Sequence, residues 1–78
     1  MANLELYGTA GCPYTREMRE WLQWRGEKFV EFDVEQDLEA LDRLYALAPA
    51  PYCVPVLVKD GKVIALGWRG RSCAVARK

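Results

Sequence analysis

The sequence predicts an α/β domain, a four-stranded mixed sheet packed by helices in the order βαβαββα. Two observations predict the initial βαβα part of this order. An alternating apolar segment precedes a helical pattern, and a second strand-like segment precedes a second helical pattern. The third is a pair of apolar runs joined by Asp60-Gly61, which favours a hairpin. Strands that flank a helix run parallel and a hairpin is antiparallel, so the sheet is mixed. The 78 residues are expected to form one domain over residues 1–78.

The first strand and the first helix meet at a short loop. The strand is "NLELYG", in which Leu4 and Leu6 alternate with polar neighbours. Pro13 suits the first position of a helix, where its missing N–H costs nothing. The helix is predicted from Pro13 to Arg25, and Gly26 ends it. Its apolar face carries Tyr14, Met18, Trp21 and Leu22.

A second strand and a second helix follow in the acidic middle of the chain. The segment "KFVEFDV" at residues 28–34 predicts the strand. Residues 37–48 carry leucines at helical spacing, and Pro49 and Pro51 end that helix.

The hairpin and the tail complete the predicted order. The hairpin occupies residues 54–66, with Asp60-Gly61 as its turn. The tail is predicted to be a glycine-containing loop, followed by a short closing helix that starts at Ser72.

Charge and hydropathy limit the class of partner. Acidic and basic residues balance at 11 each, so no global field favours nucleic acid or an anionic membrane. Residues 27–42 are acidic and residues 59–78 are basic. The basic tail either attracts anionic small molecules or is simply solvated surface. No apolar run approaches the roughly 20 residues that span a bilayer. No secretory segment is visible, so we expect a cytoplasmic location, where thiols stay reduced.

The sequence contains three cysteines, Cys12, Cys53 and Cys73, and no histidine, which limits the side chains available for catalysis or metal binding. Without histidine, a Cys–His nucleophile pair and imidazole acid–base catalysis are excluded. Single cysteines this far apart lack the paired short spacing of a zinc site, so no metal site is expected.

Cys12 lies at or just before the first residue of the predicted first helix. Unpaired N–H groups and the positive end of the helix dipole stabilise a negative sulfur there. Such locations lower the pKa of a cysteine from ~8.5 to between about 3.5 and 7.5. The thiolate is the form that attacks disulfides, so the sequence predicts a reactive thiol at Cys12. The alternative is a small apolar side chain packed under the loop.

At these residues the chain resembles the glutaredoxin family, which has the thioredoxin-like fold. The segment "CPYT" at residues 12–15 is similar to the family's Cys-Pro-Tyr-Cys, with Thr15 in place of the second cysteine. The preceding "LELYG", the "CVP" at residues 53–55 and a glycine turn after the last strand occur in the family's order. The resemblance covers essentially the whole chain and implies a redox-active centre with Cys12 as the attacking thiolate.

The resemblance also implies a groove for glutathione as co-substrate. An aromatic residue borders the thiol, and the residue before a cis proline pairs with the cysteinyl part of glutathione like an added strand. The start of the last helix holds the γ-glutamyl carboxylate. Thr9 stands where many members have a carboxylate-binding lysine, so an arginine of the tail, Arg69 or Arg71, is expected to replace it. The implied groove residues are Tyr14, Val54, Pro55, Arg69, Ser72 and Cys73.

With one thiol in the motif, the expected activity is a glutathione-dependent thiol–disulfide exchange. Cys12 attacks a protein–glutathione disulfide, becomes glutathionylated and is regenerated by a second glutathione. The expected partners are glutathione and glutathionylated or disulfide-containing proteins, for a monomer that serves redox homeostasis and electron transport. Either Cys53 or Cys73 would resolve the intermediate internally if its Cα came within ~7 Å of that of Cys12. Cys73 is the better candidate, because the family's groove passes the start of the last helix.

Three alternatives remain open from the sequence. Single-thiol relatives carry an iron–sulfur cluster between two protomers, although they usually have Cys-Gly-Phe-Ser. The stretch from Trp68 to Gly70 resembles glutaredoxin-like electron donors of ribonucleotide reductase, which use thioredoxin reductase and depend on two active-site cysteines. An adaptor that keeps the fold without the chemistry is the third.

Overall fold

The computed structural model describes residues 3–47 and 53–75, and it has the predicted α/β architecture. Among these residues, the helices are α1 (Pro13–Trp24) and α2 (Leu38–Leu47). The strands of the described part are β1 (Leu4–Gly8), β2 (Val30–Asp33), β3 (Cys53–Val54), β4 (Val56–Lys59), β5 (Lys62–Leu66) and β6 (Cys73–Ala74). The main sheet has the order β2-β1-β4-β5, and β3 pairs with β6 in a separate two-stranded sheet.

The strand directions are those that the sequence predicts. Strand β1 runs parallel to β2, to which α1 connects it, and antiparallel to β4. Strands β4 and β5 form the predicted hairpin. Its two turn residues, Asp60 and Gly61, have φ values of 52° and 80°, the left-handed pair that a two-residue hairpin turn with the twist of its strands requires.

Local features of the sequence mark the ends of the helices. Cys12 takes the N-cap position of α1 and Pro13 follows it, while Gly26, with φ of 74°, lies just past the C-terminal end. At α2, the backbone N–H of Ala40 donates to Oδ1 of Asp37 over 3.1 Å, the usual role of an N-cap aspartate. The predicted end of α2 at the two prolines lies outside the described residues.

Two apolar clusters cover the two faces of the main sheet. One contains Leu4 and Leu6 of β1 with Met18 and Leu22 of α1. The other contains Tyr7 of β1, residues of α2 and the side chains of Val54, Val56 and Val58. Neighbouring residues of a strand point to opposite faces, which places α1 on one face of the sheet and α2 on the other.

The tail differs from the expected closing helix. The prediction of a helix starting at Ser72 is wrong for the described residues, because Cys73 and Ala74 form strand β6. In β6, Cys73 lies opposite Val54 and Ala74 lies opposite Cys53. Pairing with β3 provides hydrogen bonds for backbone groups of both segments. This long-range stabilisation outweighs the weak local helix preference of a short segment that mixes polar and apolar residues.

Within the described residues, the helices are all too short and too polar to cross a membrane.

Candidate active site

Cys12 lies where the loop after β1 turns into α1. Its φ and ψ of −90° and 115° are extended, and its carbonyl accepts the N–H of Arg16 over 3.2 Å. This is the geometry of an N-cap residue, and none of the described side chains caps the helix. The predicted location of Cys12 at a helix start is therefore confirmed. The residue is only 2% exposed and belongs to the apolar cluster on the α2 face.

A disulfide joins Cys12 to Cys73, across 61 positions of the sequence. The two Cα atoms are 6.0 Å apart, which meets the distance set for a second thiol by sequence reasoning. The Sγ of Cys12 lies 3.9 Å from the carbonyl oxygen of Val54. Cys73 is half-buried, so the two sulfurs differ in their access to solvent. The partner of Cys12 comes from the tail rather than from the turn after it.

Thr15, at the position of the missing second cysteine, is a core residue. It is fully buried, and a Cβ placed on Gly8 would meet its side chain. Its Oγ1 has no hydrogen-bond partner among residues 3–47 and 53–75. Sequence reasoning missed this burial, although Thr15, Met18 and Leu22 follow the helical spacing of the buried face of α1.

Strand β6 lies along the edge of β3, at Val54, which the resemblance assigns to glutathione. The Val54–Pro55 peptide bond is cis, as the resemblance implies. Directly opposed residues of an antiparallel pair face the same side, so Cys73 lies on the side of Val54. Cys53 lies opposite Ala74, on the other side, and is bonded to no cysteine in the described structure. The geometry thus brings Cys73, and not Cys53, to Cys12.

A tight turn delivers Cys73 to this edge. The N–H of Gly67 donates to the carbonyl of Pro55 over 2.7 Å, and backbone hydrogen bonds join Trp68 and Arg71 in both directions. Between them, Arg69 and Gly70 have φ values of 52° and 79°, which reverse the chain.

The arginines of this turn were predicted to bind a carboxylate of glutathione. The guanidinium of Arg69 lies over the ring of Trp68, 5.2 Å from its centroid, and Trp68 packs against Trp21 of α1. Arg71 and Ser72 are exposed. The expected anion site at a helix start is absent here, because the described residues from Ser72 onward contain a strand instead of a helix.

Tyr14 follows Cys12 in α1, and Thr9 precedes it in the loop after β1. Tyr14 is half-buried and packs against the cluster that contains Cys12. Thr9 is buried, and its carbonyl accepts the N–H of Cys12 over 3.3 Å. Thr9 therefore shapes the loop of the thiol through its backbone.

Tyr7, a member of the same cluster, carries a polar network at its hydroxyl group. The hydroxyl of Tyr7 donates to Oε1 of Glu5 over 3.1 Å and accepts the Nε–H of Arg43 over 3.3 Å. Burial raises the pKa of Tyr7, and the hydrogen bond to Tyr7 raises the pKa of Arg43. The network therefore links β1 to α2 through side-chain hydrogen bonds.

The family model described as Glutaredoxin matches residues 4–64 of the chain. The range includes Cys12 and the cis proline, and it ends before the segment that carries Cys73. The second cysteine of the disulfide is thus outside the part that matches the family.

Solved structures agree with this match. The glutaredoxin from Archaeoglobus fulgidus is 26% identical, with a TM-score of 0.73, over 87% of this chain and 77% of its own. The thioredoxin-like protein BC3987 is 32% identical, with a TM-score of 0.66, over 81% of this chain and 85% of its own. Glutaredoxin 1 from Francisella tularensis, at 19% identity and a TM-score of 0.65, over 87% of this chain and 85% of its own, shares the fold. No curated protein matches the sequence significantly.

Proposed function

We propose that this chain, which belongs to the glutaredoxin family of thiol–disulfide oxidoreductases, cycles between a Cys12–Cys73 dithiol and its disulfide. In this cycle Cys12 is the nucleophile and Cys73 is the resolving thiol. The observation that carries the proposal is the disulfide itself, which joins the motif cysteine to the tail. The chemistry of the family is thiol exchange, and a second sulfur is bonded to that of Cys12. Both observations support the same function.

The reaction balances with two thiols. The thiolate of Cys12 attacks a substrate disulfide, forms a mixed disulfide and releases one substrate thiol. The thiolate of Cys73 then attacks the sulfur of Cys12, releases the second substrate thiol and leaves the Cys12–Cys73 disulfide. Two electrons have passed to the substrate, and two external thiols return them to the protein. The disulfide favours this dithiol cycle over the single-thiol cycle, in which the tail sulfur has no role.

We propose glutathione as the external thiol, with Tyr14, Val54 and Pro55 as its contacts. The family supports this reductant. Because β6 covers the edge of Val54 in the oxidised chain, glutathione reaches that edge only after β6 has left it. Disulfide-containing and glutathionylated proteins are the proposed substrates.

Reduction by thioredoxin reductase is a second candidate, and the covered edge of Val54 favours it. Relatives of that type depend on two cysteines, and Cys73 supplies the one that the motif lacks. The iron–sulfur alternative gains no support, because Cys12 is buried and bonded to Cys73.

The test compares three matched cysteine-to-serine variants with the unsubstituted chain, with glutathione or thioredoxin reductase as the reductant. Substrates are a protein with an intramolecular disulfide and a glutathionylated peptide. Cys12→Ser should lower the rate on both by about 100-fold or more, because the nucleophile is lost. Cys73→Ser should lower the rate on the protein disulfide about tenfold and spare the glutathionylated peptide, because only an intramolecular disulfide needs internal resolution.

The matched control is Cys53→Ser, which should leave both rates unchanged, because Cys53 lies on the other side of the β3–β6 pair. Mass spectrometry of the oxidised chain should show the Cys12–Cys73 linkage. Full activity of Cys73→Ser on the protein disulfide, or a glutathione adduct on Cys12 in place of that linkage, would contradict the dithiol cycle.

A further inference from the structure

A groove that the redox cycle does not use lies on the α1 face of the main sheet, between α1 and the β4–β5 hairpin. It encloses about 390 Å³. We propose that this groove binds a small aliphatic carboxylate, with the alkyl chain in the groove and the carboxylate at its rim. The proposal goes beyond the thiol–disulfide exchange and does not depend on it.

The inner surface of the groove is apolar. Leu4 of β1, Leu22 of α1 and Leu57 of β4 line it, and all three are buried members of the cluster under α1. Trp21 is half-buried and Ile64 is 53% exposed, so both leave apolar surface open beside the cluster. Small-molecule sites enclose about 300–1,000 Å³ and are lined mainly by apolar side chains. The size and the lining of the groove therefore suit a small ligand with an apolar body.

The groove lies at the end of the sheet away from the disulfide. Leu4 is the first residue of β1, whereas Cys12 follows Gly8, the last residue of that strand, in the loop that leads to α1. A strand of this length spans about 13 Å. Lys59, which also lines the groove, ends β4 at the hairpin turn. A ligand in the groove and a substrate at the thiol therefore occupy separate sites.

A β-bulge places Ile64 in the groove. The pairing of β4 with β5 skips this residue, because Leu57 lies opposite Ala65 and Val58 lies opposite Val63. A bulge redirects the side chain of the extra residue, and such features are common beside functional sites. Ile64 lines the groove together with Leu57 as a result.

Two lysines give the rim of the groove a positive charge. Lys28, in the loop after α1, and Lys59 both line the groove and are exposed. Their stems add apolar surface while the ammonium groups stay in water. Glu27 is the single acid among the described lining residues, and its carboxylate lies 3.8 Å from the Nε of Arg25. The net charge of the rim therefore favours an anionic head group over a cationic one.

A second copy of the chain is the competing occupant. In a symmetric dimer the same face of both copies takes part, so Lys28 and Lys59 of both would bring four ammonium groups to one interface. Lysine is depleted in protein interfaces because its charge is costly to desolvate there. The lining therefore favours a small anion over a second copy.

Calorimetric titration of the oxidised full chain with decanoate and with decyltrimethylammonium tests the proposal. The two probes share an alkyl chain and differ in the charge of the head group. We expect decanoate to bind with a Kd of about 1 mM or tighter. The cation should bind about five- to tenfold more weakly, because the lysines repel it.

Charge variants test the role of the two lysines. The double variant Lys28→Gln, Lys59→Gln should bind both probes with Kd values within about twofold of each other, because the net positive charge of the rim is gone. Arg16→Gln is the matched control, since it removes an exposed positive charge near the start of α1, outside the groove. It should keep the preference for decanoate.

A second pair of variants tests the apolar wall. Ile64→Ser should weaken decanoate binding about fivefold, because the alkyl chain loses apolar contact. Leu66→Ser is the matched control, since Leu66 lies on the same strand and is 59% exposed but does not line the groove. Its effect should stay within about twofold, and circular dichroism should show that both variants keep the fold.

Absence of decanoate binding, equal Kd values for the two probes, or equal effects of Ile64→Ser and Leu66→Ser would overturn the proposal. Sedimentation at the concentrations of the titration tests the competing occupant. A dimer that Ile64→Ser dissociates and decanoate does not would assign the groove to a second copy and overturn the proposal as well. These outcomes leave the dithiol cycle standing, because that cycle is tested by the cysteine variants and not by binding to the groove.

Discussion

At the scale of single residues, the position that carries the second thiol in Cys-Pro-Tyr-Cys is part of the core. Thr15 is fully buried on α1 and packs against Gly8 of β1. Its hydroxyl has no hydrogen-bond partner within the described residues, so Thr15 contributes to this part of the core through the packing of its methyl group and its side-chain volume. Thr15 therefore fixes how closely α1 approaches β1, and with it the position of Cys12 at the helix start.

This close approach predicts a large difference between Gly8, the last residue of β1, and Gly11 in the loop that follows. Gly8→Ala should lower the free energy of unfolding by about 1–3 kcal/mol, because the new methyl group would overlap the side chain of Thr15. Gly11→Ala is the matched control, since a Cβ there meets nothing within 4 Å, and its effect should stay within about 0.5 kcal/mol. Guanidinium unfolding of the oxidised proteins measures both.

A second substitution tests the assigned cause. Thr15→Ser removes the methyl group that the alanine at position 8 would meet, so Gly8→Ala should cost less in that background. Equal costs in the two backgrounds, or equal effects at the two glycines, would show that the contact between Gly8 and Thr15 does not limit the approach of α1.

At the scale of elements, sequence reasoning was accurate where the signal is local. The start of α1 follows from Pro13 after a glycine-containing loop, and the hairpin follows from Asp60-Gly61 between apolar runs. Each of these features can be recognised from about ten residues of sequence, because capping, proline and turn preferences act over that distance along the chain. The location of Cys12 at a helix start was predictable for the same reason.

Strand β6 was not predictable in this way. Cys73 and Ala74 have no local period, and their partner, β3, lies about 20 residues earlier in the chain. The free edge of β3 and the reversal at Arg69-Gly70 become visible only in three dimensions. The sequence predicted Cys73 as the better candidate for a second thiol, but through a helix that the described structure does not contain. The predicted closeness of Cys73 to Cys12 is confirmed, whereas the helix predicted to carry Cys73 is wrong.

The path of the tail predicts that two glycines with the same backbone conformation differ in their effect on the disulfide. Gly67 and Gly70 have φ values of 80° and 79°, so alanine is strained by a similar amount at both. A Cβ on Gly67 would lie 2.7 Å from the carbonyl oxygen of Arg71, whereas Gly70 is open. Gly67→Ala should therefore shift the tail and make the Cys12–Cys73 disulfide easier to reduce, by about 30 mV or more.

Equilibration with glutathione redox buffers measures this shift, with Gly70→Ala as the matched control. The control should change the reduction potential by less than half as much, because it shares the backbone strain without the overlap. A larger shift for Gly70→Ala would mean that the turn itself, rather than the close approach of Gly67 to Arg71, sets the position of Cys73.

At the scale of the whole molecule, the disulfide closes a loop of 61 positions that contains both described helices and strands β2, β4 and β5 of the main sheet. Apart from the disulfide, the contacts that hold the described part of the tail include the two-residue pairing with β3, the hydrogen bond from Gly67 to Pro55, the contact of Trp68 with Trp21 and the packing of Val75 against the apolar cluster. Because these contacts are few, the covalent bond is the main constraint that the redox cycle makes and breaks. The redox state of the site and the stability of the fold are therefore linked.

This linkage predicts that the oxidised chain is more stable than the reduced chain by up to about 4 kcal/mol, the chain-entropy value for a loop of this length. Guanidinium unfolding with and without a reductant measures the difference. Cys73→Ser should behave like the reduced protein under both conditions, and Cys53→Ser should retain the full response, because Cys53 takes no part in the bond.

By reciprocity, folding must favour the disulfide by the same free energy by which the disulfide favours folding. Each 1.4 kcal/mol corresponds to about 30 mV for a two-electron couple, so unfolding should raise the reduction potential by up to about 90 mV. Redox titration in the folded state and in guanidinium gives this shift independently of the unfolding curves. Equal potentials in the two states, together with equal unfolding midpoints, would mean that the tail is not constrained by the rest of the fold, and the assignment of β6 would then fail.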